Sequence, residues 1–342
     1  MSTITFKPKQ ITKKITSHLH DRARDVVMNR FGLGADTEKK TLEDIGKKYG
    51  ITRERVRQIE ESALSMIKKS DFYKAEQAVF EEMKDLIRSL GSIVSEHEFL
   101  NHVSKDKVTQ NHIHFYLVLG EYFKKHREDD HFKARWSVDD EVADKVHDAL
   151  KKLYSSLKDD DLITETEMIK KFFEQLKDVA DNYRDEEIAK RWLGMSKTIA
   201  KNPLGEWGKS NSQNIKTRGV KDYAFLVMRR HGSPMHFMEV TTAISKTFNK
   251  KIHPATCHNE LIKDSRFVLV GRGLYALAEW GYKTGIAREV IRDILKKDGP
   301  MTKEEVVEKV MKERYFKKNT ILVNLTNPKF FKKNKAGLYT NA

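Results

Sequence analysis

The chain has 342 residues, 39% of them hydrophobic and 34% charged, with a net charge of +15, six prolines and one cysteine. That length suits several small domains better than one, and the polarity suits helical modules with a high surface-to-volume ratio rather than a single large core. A lone cysteine, Cys257, excludes an intramolecular disulfide framework, the opening MSTITFKPKQ lacks the apolar stretch of a secretion signal, and no apolar run approaches the roughly 20 residues that span a bilayer. The expectation is a cytoplasmic, mainly α protein with no membrane contact. Charge is unevenly spread: residues 1–70 carry a net +7, residues 71–200 a net −7 and residues 201–342 a net +15. The basic ends attract phosphate backbones, whereas the acidic middle argues against close tracking of nucleic acid.

In chain order, the first clear element is TLEDIGKKYGITRERVRQIE at 41–60. Thr41 and Asp44 make a capping pair, Leu42 and Ile45 face inward at helical spacing, and Gly50 supplies the turn. Thr52 caps a second helix that buries Val56 and Ile59 and turns Arg53, Glu54, Arg57 and Gln58 outward. A recognition helix needs such an outer face: Arg pairs with guanine, Gln with adenine, and Glu accepts from cytosine. Arg55 is placed to reach phosphate. The candidate DNA-binding residues here are Thr52, Arg53, Glu54, Arg55, Arg57 and Gln58.

The segment from about Ile15 to Lys69 closely resembles region 4 of housekeeping bacterial sigma factors. The likeness rests on TRERVRQIE at 52–60 and on RARDVVMNRFGLG at 22–34, which matches the helix and RFGL turn before the helix-turn-helix. The resemblance implies reading of the −35 promoter element by Arg53, Glu54, Arg57 and Gln58, and docking on the β flap of core RNA polymerase. The tail ESALSMIKKS is less basic than the family's, and no counterpart of the aromatic-rich sigma region that melts the −10 element is seen.

Residues 71–140 and 141–217 each read as a possible winged-helix-like module. In the first, ALSMIKK continuing through KAEQAVFEEMKDLIRSL (74–90) reads as one long helix, GSIVSEHEFLNHV (91–103) as the helix after a turn, and HFYLVLGEYFKKH (114–126) with DHFKARWSV (130–138) as third helix and wing. In the second, helices are expected from Asp144, in LITETEMIKKFFEQL (162–176) and in EIAKRWLGMS, with EWGKSNS as a short hairpin. A spacer or a polymerase-facing surface suits their acidity.

An internal repeat organises the C-terminal part. HGSPMHFMEVTTA (231–243) pairs with DGPMTKEEVVEKV (298–310), and DSRFVLVGRGLYAL (264–277) with NPKFFKKNKAGLYT (327–340). The order helix, helix, helix, hairpin describes a winged helix twice, with Gly271, Gly273 and Gly337 in the hairpin turns. The expected helices are Tyr223–Arg230, His236–Thr247 and Pro254–Lys263, then Ile286–Lys297, Lys303–Lys312 and Lys318–Leu325. Residues 218–282 resemble the HARE-HTH family, the winged helix of the RNA polymerase delta subunit and some restriction and chromatin proteins, through SPMHFMEV, HPATCHNELIKD and RFVLVGRGLYALAEWGY. Residues 283–342 form the diverged second copy. Third helices commonly enter the major groove and wings contact the backbone. That points to His258, Asn259 and Lys263 with Arg272 on the wing, and to Lys317, Lys318, Asn319 and Thr320 with Lys332, Lys333 and Lys335 on the wing.

The sequence thus describes a multi-domain array, an N-terminal helix-turn-helix (1–70) followed by tandem winged helices. It carries no Gly-rich phosphate loop, GxSxG elbow or HExxH helix, so no catalytic residue is assigned. His112 with His114, and His253 with Cys257 and His258, fall short of a zinc set, so no metal or other cofactor is expected. The leading reading is a DNA-binding transcription protein that engages double-stranded DNA and core RNA polymerase. The alternatives are a delta-like polymerase accessory without sequence-specific binding, or a non-catalytic specificity subunit of a DNA-modifying or restriction system. Target sequence, activation versus repression and oligomeric state are not fixed by these features.

Overall fold

A computed structural model describes residues 4–176, 183–282, 287–313 and 316–342. The chain forms two compact units, residues 1–200 with 207–210, and residues 201–206 with 211–342. Small sheets sit among a majority of helices, so the fold is mainly α.

The first unit opens with α1 (Pro8–Ile15), α2 (Asp21–Phe31), α3 (Leu42–Tyr49) and α4 (Arg53–Lys69). Pro8 starts α1 at the position where its missing N–H costs nothing. Arg24 of α2 turns back to cap the end of that region, donating to the carbonyls of Thr16, Ser17 and Leu19 at 3.1, 2.6 and 2.8 Å. Val26, Ile45 and Val56 close a small core between α2, α3 and α4, with Leu42, Tyr49, Ile51 and Ile59 packed on it.

The expected long helix across 63–90 is broken. Ser70 adopts an extended conformation and its hydroxyl accepts the Tyr73 N–H at 3.2 Å, which starts a new helix. Thus α4 ends at Lys69, followed by α5 (Asp71–Ala75) and α6 (Gln77–Ser89). A winged helix is completed by β1 (Ile93–Ser95), α7 (Glu96–Val103), α8 (Lys107–Leu119), β2 (Lys124–His126) and β3 (Arg135–Ser137), in a sheet of order β1-β3-β2. The third helix begins at Lys107 rather than near His114, because the Asp106 carboxylate caps it through the Thr109 N–H at 2.9 Å.

One core joins the helix-turn-helix to this winged helix. Ile11, Ile15, Leu19, Val27, Phe31, Ala63 and Ile67 bury with Phe80, Met83, Phe115, Tyr116 and Leu119. Polar links cross the same seam. The Asn111 amide donates to the carbonyls of Gly32 and Thr37, each at 2.9 Å. Thr12 Oγ1 lies 2.8 Å from His112 Nδ1 and 2.9 Å from the Tyr116 hydroxyl, which also donates to the Pro8 carbonyl at 2.5 Å.

Next come α9 (Asp140–Ser156), α10 (Glu165–Gln175), α11 (Glu186–Met195), β4 (Ile199–Lys201) and β5 (Trp207–Lys209). An antiparallel bridge from Ile163 to Trp207 supplies the short first strand, again a winged-helix order. The hairpin therefore pairs 199–201 with 207–209 and is not contained within EWGKSNS. Trp192, Phe172, Met168 and Leu153 are the fully buried centre.

The second unit repeats the order twice. First come α12 (Val220–His231), β6 (Met235–His236), α13 (Phe237–Phe248), α14 (Pro254–Lys263), β7 (Phe267–Gly271) and β8 (Leu274–Leu277), with sheet order β6-β8-β7. Then come α15 (Ala287–Asp298), α16 (Lys303–Glu313), α17 (Lys318–Leu325), β9 (Phe331–Lys333) and β10 (Tyr339–Asn341), with Met301 bridging to Tyr339. Ile286, the expected start of α15, lies outside the described residues. No helix among the described residues is long and apolar enough to cross a membrane.

Candidate nucleic-acid interface

The helix-turn-helix is assembled by local chemistry. The Asp44 N–H donates to Thr41 Oγ1 at 3.1 Å and the Thr41 N–H to the Asp44 carboxylate at 3.3 Å, a reciprocal cap on α3. The Thr41 hydroxyl also donates to the Asp44 carboxylate at 2.6 Å, and this bond, ahead of that from the Thr41 N–H, holds the carboxyl below its ordinary range. Gly50 ends α3 in the left-handed region at φ 62°, which a side chain would resist. Thr52 Oγ1 then accepts the Arg55 N–H at 3.2 Å, so this hydroxyl serves the helix start.

On α4, Arg53, Glu54, Arg55, Arg57 and Gln58 are all exposed, whereas Val56 is buried. They also pair with one another. Arg57 holds Glu54 at 2.6 Å and contacts Glu61, while Arg55 donates to Gln58 Oε1 at 3.0 Å. Hydrogen bonding from Arg57 lowers the Glu54 pKa, and Glu54 in turn raises that of Arg57. Exposed pairs one turn apart are individually weak, so exchanging them for base or phosphate contacts is inexpensive.

Sequence reasoning missed the basic groups beside this helix. Lys47 and Lys48 end α3, and the Lys48 ammonium meets Asp25 of α2 at 2.5 Å. Tyr49 also donates to Asp25, and Arg22 lies over the Tyr49 ring at 5.1 Å. Burial pushes the Asp25 pKa up, but bonds from Lys48 and Tyr49 outweigh it and leave the carboxyl low. The available signal was the position of two lysines in the last helical turn.

The other sequence-assigned residues occupy three places. Arg272 is exposed on the wing between β7 and β8. The His258 ring stacks on Phe237 at 4.5 Å and meets the Tyr275 edge at 5.8 Å and is half-buried, whereas Asn259 and Lys263 are exposed. In the last winged helix, Lys317, Lys318, Asn319 and Thr320 line the exposed start of α17, and Lys332, Lys333 and Lys335 the exposed wing.

In the first winged helix the corresponding element is used up. Along α8 only Lys107 is exposed, and Asn111, His112, Ile113, Phe115, Tyr116, Leu117 and Leu119 are buried. The helix that would enter a groove instead packs on α1 and α2.

Residues 17–69 match the family model for sigma-70, region 4. Residues 218–280 match the model for HARE-HTH, the helix-turn-helix domain described for ASXL and restriction endonuclease proteins. Both matches fall where the sequence resemblances put them, and both are helix-turn-helix families. Two curated relatives are the RNA polymerase sigma factor RpoD proteins of Helicobacter pylori strains 26695 and J99. Each is 42% identical to this chain over 60 residues, a stretch that is 18% of this chain and 9% of the sigma factor. The likeness therefore concerns one small region of a much longer protein.

His112 and His114 sit within α8, His253 caps α14 by accepting the Ala255 N–H at 3.3 Å, and Cys257 is buried. Among the described residues, no group of three His, Cys, Asp or Glu side chains is arranged to hold a metal ion.

Proposed function

We propose that this is a non-catalytic, cytoplasmic transcription protein whose sigma-like helix-turn-helix recognises a promoter element in double-stranded DNA. The carrying observation is the exposed Arg53, Glu54, Arg55, Arg57, Gln58 face on a capped α4, inside a segment that matches sigma-70 region 4. Core RNA polymerase, through its β flap, is the protein partner in this reading. The basic second unit adds affinity, since linked modules gain avidity without new kinds of contact. The buried α8 supports a structural rather than a DNA-tracking role for the first winged helix.

The test is to purify the full chain from its host and map the DNA it protects from the same preparation. Core polymerase should co-purify, and protected sites should lie at a fixed distance upstream of transcription starts. In the double variant Arg57→Ala, Gln58→Ala, site preference should fall by roughly 10- to 100-fold per lost bidentate contact. Binding to unrelated duplex should change little. Protection without sequence preference, with polymerase present, would favour the delta-like accessory. Co-purification of a nuclease or methyltransferase instead would favour the specificity subunit.

A further inference from the structure

The third helix of the last winged helix presents an apolar side chain on a surface otherwise suited to phosphate. Ile321 and Leu325 of α17 are buried, while Asn319, Thr320 and Val323 face outward. Val323 is 71% exposed, and no other large hydrophobic side chain among the described residues is as open. It follows Thr320 by three positions and Asn319 by four, so the three share one stripe of the helix. A branched aliphatic group so exposed contributes almost nothing to folding.

What surrounds the stripe selects its occupant. Residues 314–342 contain seven Lys or Arg and no Asp or Glu. Lys317 and Lys318 stand at the helix start and Lys332, Lys333 and Lys335 on the wing, all exposed. Such a surface favours a polyanion with phosphates on both sides of the helix. The stripe itself carries an amide, a hydroxyl and an aliphatic group. Major-groove edges offer a partner for each: Asn for adenine N6 and N7, Thr for a polar edge, and an aliphatic side chain for the thymine C5-methyl.

We infer that Val323 packs against thymine C5-methyl groups in the major groove and gives the last winged helix a preference for A·T-containing duplex. The inference rests on the reading that the protein binds duplex DNA.

The probe is a duplex recovered from a random pool by the full chain, remade with deoxyuridine for every thymidine. This removes only the methyl groups. The unmodified protein should bind the uracil duplex about fourfold more weakly for each thymine that Val323 contacts. Val323→Ala should lose that part of the difference while binding the uracil duplex as before, and Val323→Ile should keep it. Circular dichroism should be unchanged, as the position is solvent-exposed. Equal binding of both duplexes by the unmodified protein, or an undiminished difference in Val323→Ala, would overturn the inference. A triple change of Lys332, Lys333 and Lys335 to Gln separates the two readings. If it weakens both duplexes while the methyl effect is absent, DNA binding stands and methyl reading fails. If it weakens neither, the duplex is held elsewhere on the chain, the last winged helix does not bind DNA, and the inference falls while the reading that the protein binds duplex DNA stands.

Discussion

Phe115→Ala should destabilise the first unit by about 3–5 kcal/mol, and the helix-turn-helix should loosen with the winged helix rather than survive it. Phe115 is fully buried on α8, and its ring lies 5.0 Å from that of Phe31, the last residue of α2. Truncation removes the aromatic burial and leaves a cavity between two elements that are far apart in sequence. Hydrogen exchange on the full chain reads the result directly. Protection should fall together in residues 8–31 and in β1–β3, because one core serves both. Loss confined to the winged helix, with α1 and α2 still protected, would show that the helix-turn-helix stands on its own. A second variant reaches the seam from the backbone side. Gly32 lies at φ 64°, and a Cβ there would come within 2.5 Å of the Thr37 carbonyl and 2.7 Å of the Asn111 amide. Gly32→Ala should therefore break the Asn111 link and give the same coupled loss without touching an apolar side chain.

The shared core bears on how the N-terminal module works. Ile11, Ile15, Val27 and Phe31 of α1 and α2, together with Ala63 and Ile67 near the end of α4, are buried in one core with Phe115, Tyr116 and Leu119 of α8. The outer face of α4 and the lysines at the end of α3 remain open to solvent. Contacts made through the exposed Lys47, Lys48, Arg53, Arg55 and Arg57 are polar and mostly basic. Such contacts respond to salt and set position and specificity more than bulk affinity.

The elements legible in the sequence are those set by neighbours. The cap at Thr41, the turn at Gly50 and the polar outer face of α4 follow from residues within one or two turns, so 41–60 alone reveals them. The two C-terminal winged helices are legible because one repeat explains the other. Long-range choices are not. Thr12 and His112 are a hundred residues apart along the chain. Nothing in the pattern NHIHFYLVL says whether its apolar surface meets its own module or another. That same run is apolar nearly all round, which hides the start of α8 at Lys107, and only the Asp106 cap marks it. The break at Ser70 is hidden by favourable helix residues on both sides. The stacking of His258 on Phe237 is also illegible, since the two residues lie on different helices.

Acidification from pH 7 to pH 5 should destabilise the first unit. Three of its histidines, His112, His114 and His147, are held near pKa 4, in each case chiefly because burial disfavours the charged ring. The neighbours reinforce this. Lys9 faces His112, and Lys39, Lys125 and Arg30 outweigh Glu96 around His114. Arg135 Nε donates to His147 Nε2 at 2.6 Å, which requires that nitrogen to be unprotonated. In the unfolded chain the same rings take up protons from about pH 6.5. Between about 6.5 and 4 the unfolded state therefore binds more protons, and stability falls as the pH drops. The contribution is fully present above about 6.5. By pH 5 each ring has cost roughly 2 kcal/mol, and three together approach the whole stability of an ordinary domain. Trp136, Trp192 and Trp207 are buried in this unit and report its unfolding by fluorescence. The thermal midpoint they record should fall steeply from pH 7 to pH 5. His147→Gln offers Arg135 an uncharged acceptor that cannot titrate, and should remove about a third of that slope. A midpoint that stays constant over this range would mean that the three rings are not held neutral by burial.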